Sequence, residues 1–470
     1  MKYIALTIGP IYKTLSNAKK TRELWGGSYI FSYIMKEIIK KFQDREFIVP
    51  YVDKNILEKP QEIGLFHDRM IFEAKNGDKE KMKQVIDEVF FNISKHSDID
   101  KEFLKEYFQL HYNEFETNKN PIVEISPYLD TMELMFQVTN QENKLQKFLK
   151  NRINKSFLVE DAFGKKRTSF PSLPEIALSG IDKNLIEKVL NSEKVKKDEL
   201  EIYEDERIKP LLKPYHKYIA IIQADGDNMS KVINSLETKN DFKIFSNNLF
   251  KYCQKSNELI DKFGGITIFA GGDDLLFFAP VISKNGDTIF NLCNNISNSF
   301  NEIFKEYNTT PKPTLSFGVN ITYYKYPLYE ALENARYLLF AKAKNKNRNN
   351  IAFQVTKHSG QSFDAVIHKG NEKIYKEFLK FVKIISNEKD DTNFLHSIHH
   401  KIDSYKTILE TIKNDKAKLE NFFDNYFNEN EHNEYREFFD SLIDFIYISQ
   451  DLNMVYSTLR FIKFVKGDKK

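Results

Sequence analysis

The chain has 470 residues, with 70 Lys and Arg against 67 Asp and Glu; a net charge of +3 gives no uniform field toward nucleic acid or a membrane. Its 2 cysteines, Cys253 and Cys293, cannot build a disulfide framework or a four-thiolate zinc site, and they suit a reducing compartment. No run approaches the roughly 18 apolar residues of a membrane span, and no signal peptide is recognised, so a cytoplasmic protein of two to four domains is expected. Glycine is scarce, 17 residues in all against a usual frequency of about 7%, so the four glycines between Gly264 and Gly272 need a reason.

In chain order, KYIALTIG (2–9) reads as a buried strand closed by Gly9-Pro10. A long helical stretch follows to about Phe42, interrupted at Trp25-Gly26-Gly27-Ser28, and FIVPYV (47–52) has strand character. From about Lys79 to Lys147 the periodicity is helical, with a strand expected at 122–126. Residues 148–216 carry Pro171, Pro174, Pro210, Pro214 and the charged stretch Lys194–Arg207, which together read as a connector.

KYIAIIQA (217–224) then repeats the Lys-Tyr-Ile-Ala opening of residues 2–5, again as strand, tight turn and long helix. After a helix (about 229–262), ITIFA and LLFFA flank Gly271-Gly272-Asp273-Asp274, a hairpin pattern. A helix (about 285–307), the strand TLSFGVNI (314–321), a helix (327–345) and the strand IAFQV (351–355) follow. The order βαββαβ, with an added helix and strand, is ferredoxin-like. Residues 370–468 read as entirely helical, a separate bundle. The expected fold class is α+β: two ferredoxin-like domains and a carboxyl-terminal helical bundle. The expected divisions are 1–147, the first copy with a helical insert; 148–216, a connector; 217–369, the second copy, which carries Gly271-Gly272-Asp273-Asp274; and 370–470, the helical domain.

Asp225, Gly226 and Asp227 sit where the second buried strand ends, and Asp273 and Asp274 sit on the next hairpin turn. With antiparallel neighbours, those two turns share one small volume. Carboxylates so crowded repel one another unless a cation compensates, and Mg²⁺ (or Mn²⁺) shared with substrate phosphates suits oxygen ligands. Such a site activates a 3′-hydroxyl for in-line displacement at phosphorus. Gly226, Gly271 and Gly272 allow tight turns and close approach. Lys344 and Arg348, with Asn349, follow a helix that starts near Pro327 and could clamp a triphosphate. Each motif alone is an ordinary turn composition; their pairing after apolar strands is what points to chemistry.

The segments ADGDN, IFAGGDDLLFF, LSFGVNI, YPLYEALENA and AKNKNRNN resemble the palm shared by diguanylate cyclases and the CRISPR polymerase. IGPIYKTLSNAKKTRELWGGSYIFSYI resembles the opening of the large subunit of type III CRISPR effector complexes, especially the Cmr branch, and FPSLPEIA (170–177) resembles a segment between its two palms. The resemblance implies a catalytic metal site of Asp225, Asp273 and Asp274 with the Gly226 backbone. It implies nucleotide contacts from Gly226, Asp227, Asn228, Gly271, Gly272, Lys344 and Arg348, and from Thr21, Arg22, Trp25 and Ser28 of the first palm, whose face would help bind a second nucleotide. The implied activity is conversion of ATP into cyclic oligoadenylate, switched on by target RNA within a guide-RNA complex of several subunits. The same palm chemistry could instead join AMP to S-adenosylmethionine, or the palms could hold nucleotide without turnover; a stand-alone diguanylate cyclase fits the duplicated palm poorly.

The chain departs from the family pattern in beginning directly in the first palm, without the histidine–aspartate nuclease domain, so DNA cleavage is not expected; nor is a cysteine-ligated zinc. His67-Asp68 lacks the further ligands of a two-metal nuclease site, and His396, His399 and His400, at helical spacing, read as an exposed helix face.

Overall fold

The computed structural model describes residues 1–135, 143–164, 170–181, 203, 205–206, 208–345, 347–383, 392–426 and 436–467. Most of the charged stretch Lys194–Arg207 lies outside them.

The first sheet contains β1 (Lys2–Gly9), β2 (Phe47–Val49), β3 (Arg69–Glu73) and β4 (Gln109–Glu116), in the order β2-β3-β1-β4 with every pairing antiparallel. The second contains β5 (Tyr218–Asp227), β6 (Ile266–Gly271), β7 (Asp274–Pro280), β8 (Thr314–Tyr323), β9 (Asn350–Thr356) and β10 (Ser362–His368). Its order is β10-β9-β8-β5-β7-β6, with β8 and β9 parallel and the other pairs antiparallel. In each sheet the strands of the βαββαβ unit lie in the spatial order fourth, first, third, second. The repeat noticed in the sequence is therefore a repeat of topology, and Lys-Tyr-Ile-Ala opens the inner strand of both copies.

Several sequence expectations change. The strand expected at 122–126 lies inside the helix Pro121–Glu133, which Asn120 caps by accepting from the N–H groups of Ile122 and Val123. Its buried Ile122, Ile125 and Leu129 follow helical, not alternating, spacing. The first sheet instead takes β3 and β4. The helix Thr21–Lys41 runs unbroken through Gly26 and Gly27. Those glycines serve packing, because a Cβ on Gly26 would lie 2.6 Å from Ile153 Cδ1 and 2.9 Å from Leu149 Cδ2. Past the expected final strand, β10 returns antiparallel to β9.

The carboxyl-terminal region is helical throughout its described residues, from Glu372–Lys383 to Leu452–Lys466. It is not a detached bundle. Phe461 meets the Phe290 ring at 4.9 Å, Phe464 meets Tyr218 at 4.8 Å, and Ser457 donates to the Asp364 carbonyl of β10. One hydrophobic core thus runs from the second sheet into the tail, fixing the back of the sheet so that its ends can carry polar turns. In the helix Thr392–Ser404, His399 is buried and stacked on Tyr456 at 4.7 Å, with neither ring nitrogen hydrogen-bonded, while His400 is exposed. The expectation of an exposed histidine face therefore fails at His399; the His396 side chain is outside the described residues.

Candidate functional site

β5 ends as the sequence suggests, with Asp225, Gly226 and Asp227 still in the ladder opposite Ser316, Leu315 and Thr314 of β8. Apolar residues from Ile219 to Ala224 bury the strand, so its end is rigid where the carboxylates begin. Gly226 presses against the next turn: a Cβ there would lie 2.8 Å from Asp273 Cβ and 2.7 Å from Met229 Cγ. Only glycine lets the Asp-Gly-Asp segment and Asp273 approach this closely. Gly272 adopts φ +65 with open space at its Cβ position, and its carbonyl accepts from Cys253 Sγ at 3.4 Å. Gly271 pairs with Asp274 at the head of β7.

The electrostatics follow from this crowding. Burial and the negative charge of Asp274 push the Asp273 carboxyl up to about 7, partly offset by backbone N–H groups including that of Gly226. Burial and the nearby Asp68 carboxylate push Asp274 up to about 7 as well, opposed by the Arg336 guanidinium. Two acids held this way conserve protons at neutral pH unless a cation arrives.

Lys344 supplies a local cation. Its ammonium forms an ion pair with Asp225, donates to the Gly226 carbonyl at 2.8 Å and lies 3.8 Å from Asp227 Oδ1. A π-helical turn, Leu338–Ala343, brings it there after the helix Leu328–Tyr337. That element sits directly on β8, since a Cβ on Gly318 would lie 2.5 Å from the Leu339 backbone nitrogen. Burial and the neighbouring Arg348 guanidinium push the Lys344 ammonium down to about 8. Arg348 itself is exposed at the edge.

Asp227 does different work. It is fully buried, and its Oδ2 accepts from Ser316 Oγ at 2.8 Å, Thr314 Oγ1 at 3.0 Å and the Asn349 backbone N–H at 3.0 Å. Through Oδ2 this side chain ties β5, β8 and the loop before β9 together, while Oδ1 has no hydrogen-bond partner. Asn228, at φ +63, donates to the Lys312 carbonyl and shapes the turn.

The first-palm residues expected to touch nucleotide do not face this cleft. Trp25 is 1% exposed and packs on Tyr29, Phe163 and Phe170 at 4.6–5.3 Å. Ser28 is buried in the same helix. Thr21 and Arg22 line a separate cavity with Tyr324 and Lys325, which follow the far end of β8. Tyr324 lies eight positions along the strand from Ser316, the partner of Asp225, about 26 Å at roughly 3.3 Å per residue.

What the first palm does contribute is the loop before β3. His67 Cβ lies 3.2 Å from the Cβ position of Gly271, and Asp68 acts on Asp274. The sequence drew attention to this pair only as a nuclease remnant. Tyr12, after the Gly9-Pro10 turn, hydrogen-bonds Glu333 and carries the Arg336 guanidinium 4.3 Å above its ring. Both palms therefore meet at the carboxylate turn.

The residues present fit a divalent cation. Asp227 Oδ1 is buried without a hydrogen bond, Asp273 and Asp274 crowd each other, and an ammonium stands at Asp225 and the Gly226 carbonyl. Among the described residues no three His, Cys, Asp or Glu side chains form a metal cage by themselves. A set completed by a backbone carbonyl and phosphate or water oxygens is how Mg²⁺ is ordinarily held.

Comparison with known proteins agrees with this architecture. The family model "Cas10/Cmr2, second palm domain" matches residues 218–352, and "CRISPR-associated protein Cmr2, N-terminal" matches residues 3–110. A curated relative, the CRISPR system Cmr subunit Cmr2 of Pyrococcus furiosus, is 31% identical over 216 residues, which is 40% of this chain and 24% of the relative. The matched region thus spans about a quarter of that relative's length. Among solved structures, a type III-B Cmr-beta complex bound to cognate target RNA contains a chain that aligns at TM-score 0.59 and 12% identity, covering 91% of this chain and 78% of that one. A Csm1-Csm4 cassette in complex with cA4 aligns at TM-score 0.53 and 11% identity, covering 99% and 70% respectively. At such identities the likeness is one of fold. The two matched regions follow one another along the chain, so it is similar to Cmr2 at its amino-terminal part and to Cas10/Cmr2 at its second palm, and the carboxylate turns lie within the second matched region.

Proposed function

We propose that this chain is the nucleotidyltransferase subunit of a type III CRISPR complex and joins ATP molecules by 3′–5′ linkage into cyclic oligoadenylate once target RNA is bound. The observation that carries the reading is the packing of Asp273 against Gly226, which puts the Asp225 and Asp273-Asp274 turns into one cleft with an ammonium already at Asp225. The fold likeness to a cassette in complex with cA4 supports the product class, and the likeness to a target-RNA complex supports the setting.

In this reading Asp225, the Gly226 carbonyl, Asp273 and Asp274 would hold Mg²⁺ or Mn²⁺. When bound, such a cation lowers the proton affinity of a 3′-hydroxyl and neutralises charge at the α-phosphate. Lys344 and Arg348 bind phosphate oxygens, and Lys344 exchanges its Asp225 partner for them. The attacking 3′-oxygen bonds to the α-phosphorus, its proton passes to a carboxylate of the cleft, and pyrophosphate leaves. Ring closure repeats the step within one chain. Asp227, Ser316 and Gly318 keep the strands and the Lys344 turn in place. The guide and target RNA reach this subunit through the assembled complex, the helical tail docks a small helical subunit, and the palms dock another backbone subunit.

The test is ATP conversion by the assembled complex with and without cognate target RNA. Oligoadenylate that appears only with target RNA, and disappears in Asp273→Ala/Asp274→Ala with assembly intact, supports the assignment. Synthesis that persists in that variant removes it.

A further inference from the structure

We infer that Asn350 is the positioning residue of the phosphate clamp: one buried amide, itself oriented by His368, holds the backbone just before Lys344 and just before Arg348. The inference rests on the reading that those two cations bind the phosphates of ATP, and it adds the group that sets their spacing.

Asn350 opens β9 and is 2% exposed, although its side chain is polar. A buried amide is tolerated when its donors and its acceptor are used. Here the amide nitrogen donates to the Ala343 carbonyl at 2.7 Å and to the Asn347 carbonyl. Ala343 ends the π-helical turn immediately before Lys344, and Asn347 stands immediately before Arg348. A single planar group therefore pins the segment that carries both cations at each of its ends. Two carbonyls at one end of the amide require that end to be the nitrogen, so the oxygen faces His368. His368 lies opposite Asn350 in the β9–β10 pairing, and its Nδ1–H donates to the Asn350 amide oxygen at 2.9 Å.

The sheet fixes Asn350 independently of the segment it holds. Its backbone N–H donates to Ser316 Oγ at 3.3 Å, and the Asn349 N–H donates to Asp227 Oδ2 and to Ser316 Oγ. The Asn349 carbonyl accepts from the Lys369 N–H at 3.1 Å. The anchor is thus tied to β5, β8 and the end of β10. Lys344 has a restraint of its own through Asp225 and the Gly226 carbonyl. Arg348 is exposed, and its side chain forms no ion pair among the described residues. Its place is set by the backbone at Asn347, and so by Asn350. The side-chain bonds of Asn350 go to Ala343, Asn347 and His368 and none to a carboxylate of the cleft, so its weight falls on phosphate binding.

The experiment is equilibrium dialysis of ATP against the assembled complex with Mg²⁺, alongside steady-state turnover with cognate target RNA. Asn350→Ala should weaken ATP about tenfold, raising KM while kcat changes less than about threefold. Adenosine, which has no phosphate to clamp, should bind parent and variant equally. In an Arg348→Met background the same substitution should add no more than about threefold, since the two residues act as one unit. His368→Leu should weaken ATP in the same sense, and His368→Asn, which keeps an N–H at the Nδ1 position, should restore it. That half-buried position decides the question if Asn350→Ala fails to assemble. Unchanged ATP affinity in Asn350→Ala, equal loss of ATP and adenosine, full additivity with Arg348→Met, or His368→Asn no better than His368→Leu would each overturn the proposal. A parent complex that binds ATP in an Asn350-dependent way but makes no oligoadenylate would remove the assigned reaction and leave the clamp standing. A parent that makes oligoadenylate while its Asn350→Ala variant binds ATP normally would do the reverse.

Discussion

Replacing Asp273 and Asp274 together with asparagine should stabilise the protein in the absence of divalent cation at pH 8.5, and the gain should vanish in acid. Both carboxyls rise from an ordinary 3.8 to about 7, first through burial and then through the negative neighbours Asp274 and Asp68. A carboxyl whose folded pKa lies above its unfolded value favours the native state only while protonated. Its contribution is therefore complete below about pH 4 and is lost as the pH rises through 7. At about 1.4 kcal/mol per pH unit, a full rise would cost about 4 kcal/mol for one carboxylate. Both side chains keep a partly exposed edge, and solvent screening reduces this to on the order of 2 kcal/mol each. Urea denaturation of parent and variant in EDTA, at pH 4.0 and pH 8.5, reads the difference directly. The variant should exceed the parent by several kcal/mol at the higher pH and match it at the lower. Millimolar Mg²⁺ at pH 8.5 should stabilise the parent and leave the variant unchanged. A parent that is equally stable relative to the variant at both pH values would refute the crowding argument.

Gly318→Ala should destabilise by about 3 kcal/mol, measured by thermal or urea unfolding, because the new methyl would meet the backbone of the helix segment at Ala335 and Leu339 rather than a movable side chain. Gly226→Ala should cut ATP turnover at least tenfold with the complex intact, since the added Cβ would displace Asp273. Asp227→Ala should cost about 3 kcal/mol in unfolding experiments by stranding the donors Ser316, Thr314 and Asn349. Lys344→Met should raise the KM for ATP more than it lowers kcat, visible in steady-state kinetics, if the ammonium binds phosphate rather than only Asp225.

The parts of the site that were legible in the sequence are local. An apolar strand ending in Asp225-Gly226-Asp227 and a hairpin turning on Gly271-Gly272-Asp273-Asp274 carry their own geometry, and the ferredoxin-like order then brings them together. The duplicated palm was legible for the same reason. β4 was not, because its residues from Gln109 to Glu116 are polar or half-buried along the whole strand and lack the alternation that marks a sheet face. Ile122 to Ile125 misled in the opposite sense, since a β-branched run became helical under the Asn120 cap and tertiary packing. Gly26 and Gly27 suggested a break near a ligand, yet they admit Ile153 and Leu149 against a continuous helix. Asp68 against Asp274 joins residues 206 positions apart across two palms, and nothing near either residue announces the contact. Asp227 was expected at a nucleotide because it shares a turn with Asp225; its burial and its bonds to Ser316, Thr314 and the Asn349 N–H depend on β8 and the loop before β9, which no local pattern announces.

The central claim is that the cleft shared by Asp225, Asp273 and Asp274 makes 3′–5′ linked oligoadenylate. Mass spectrometry of ATP incubated with the assembled complex and Mg²⁺ tests it most directly. The expected result is cyclic oligoadenylate that needs cognate target RNA and is absent in Asp273→Ala/Asp274→Ala. A target-RNA-dependent product that requires S-adenosylmethionine, or ATP left unconverted by an intact, RNA-bound complex, would contradict it.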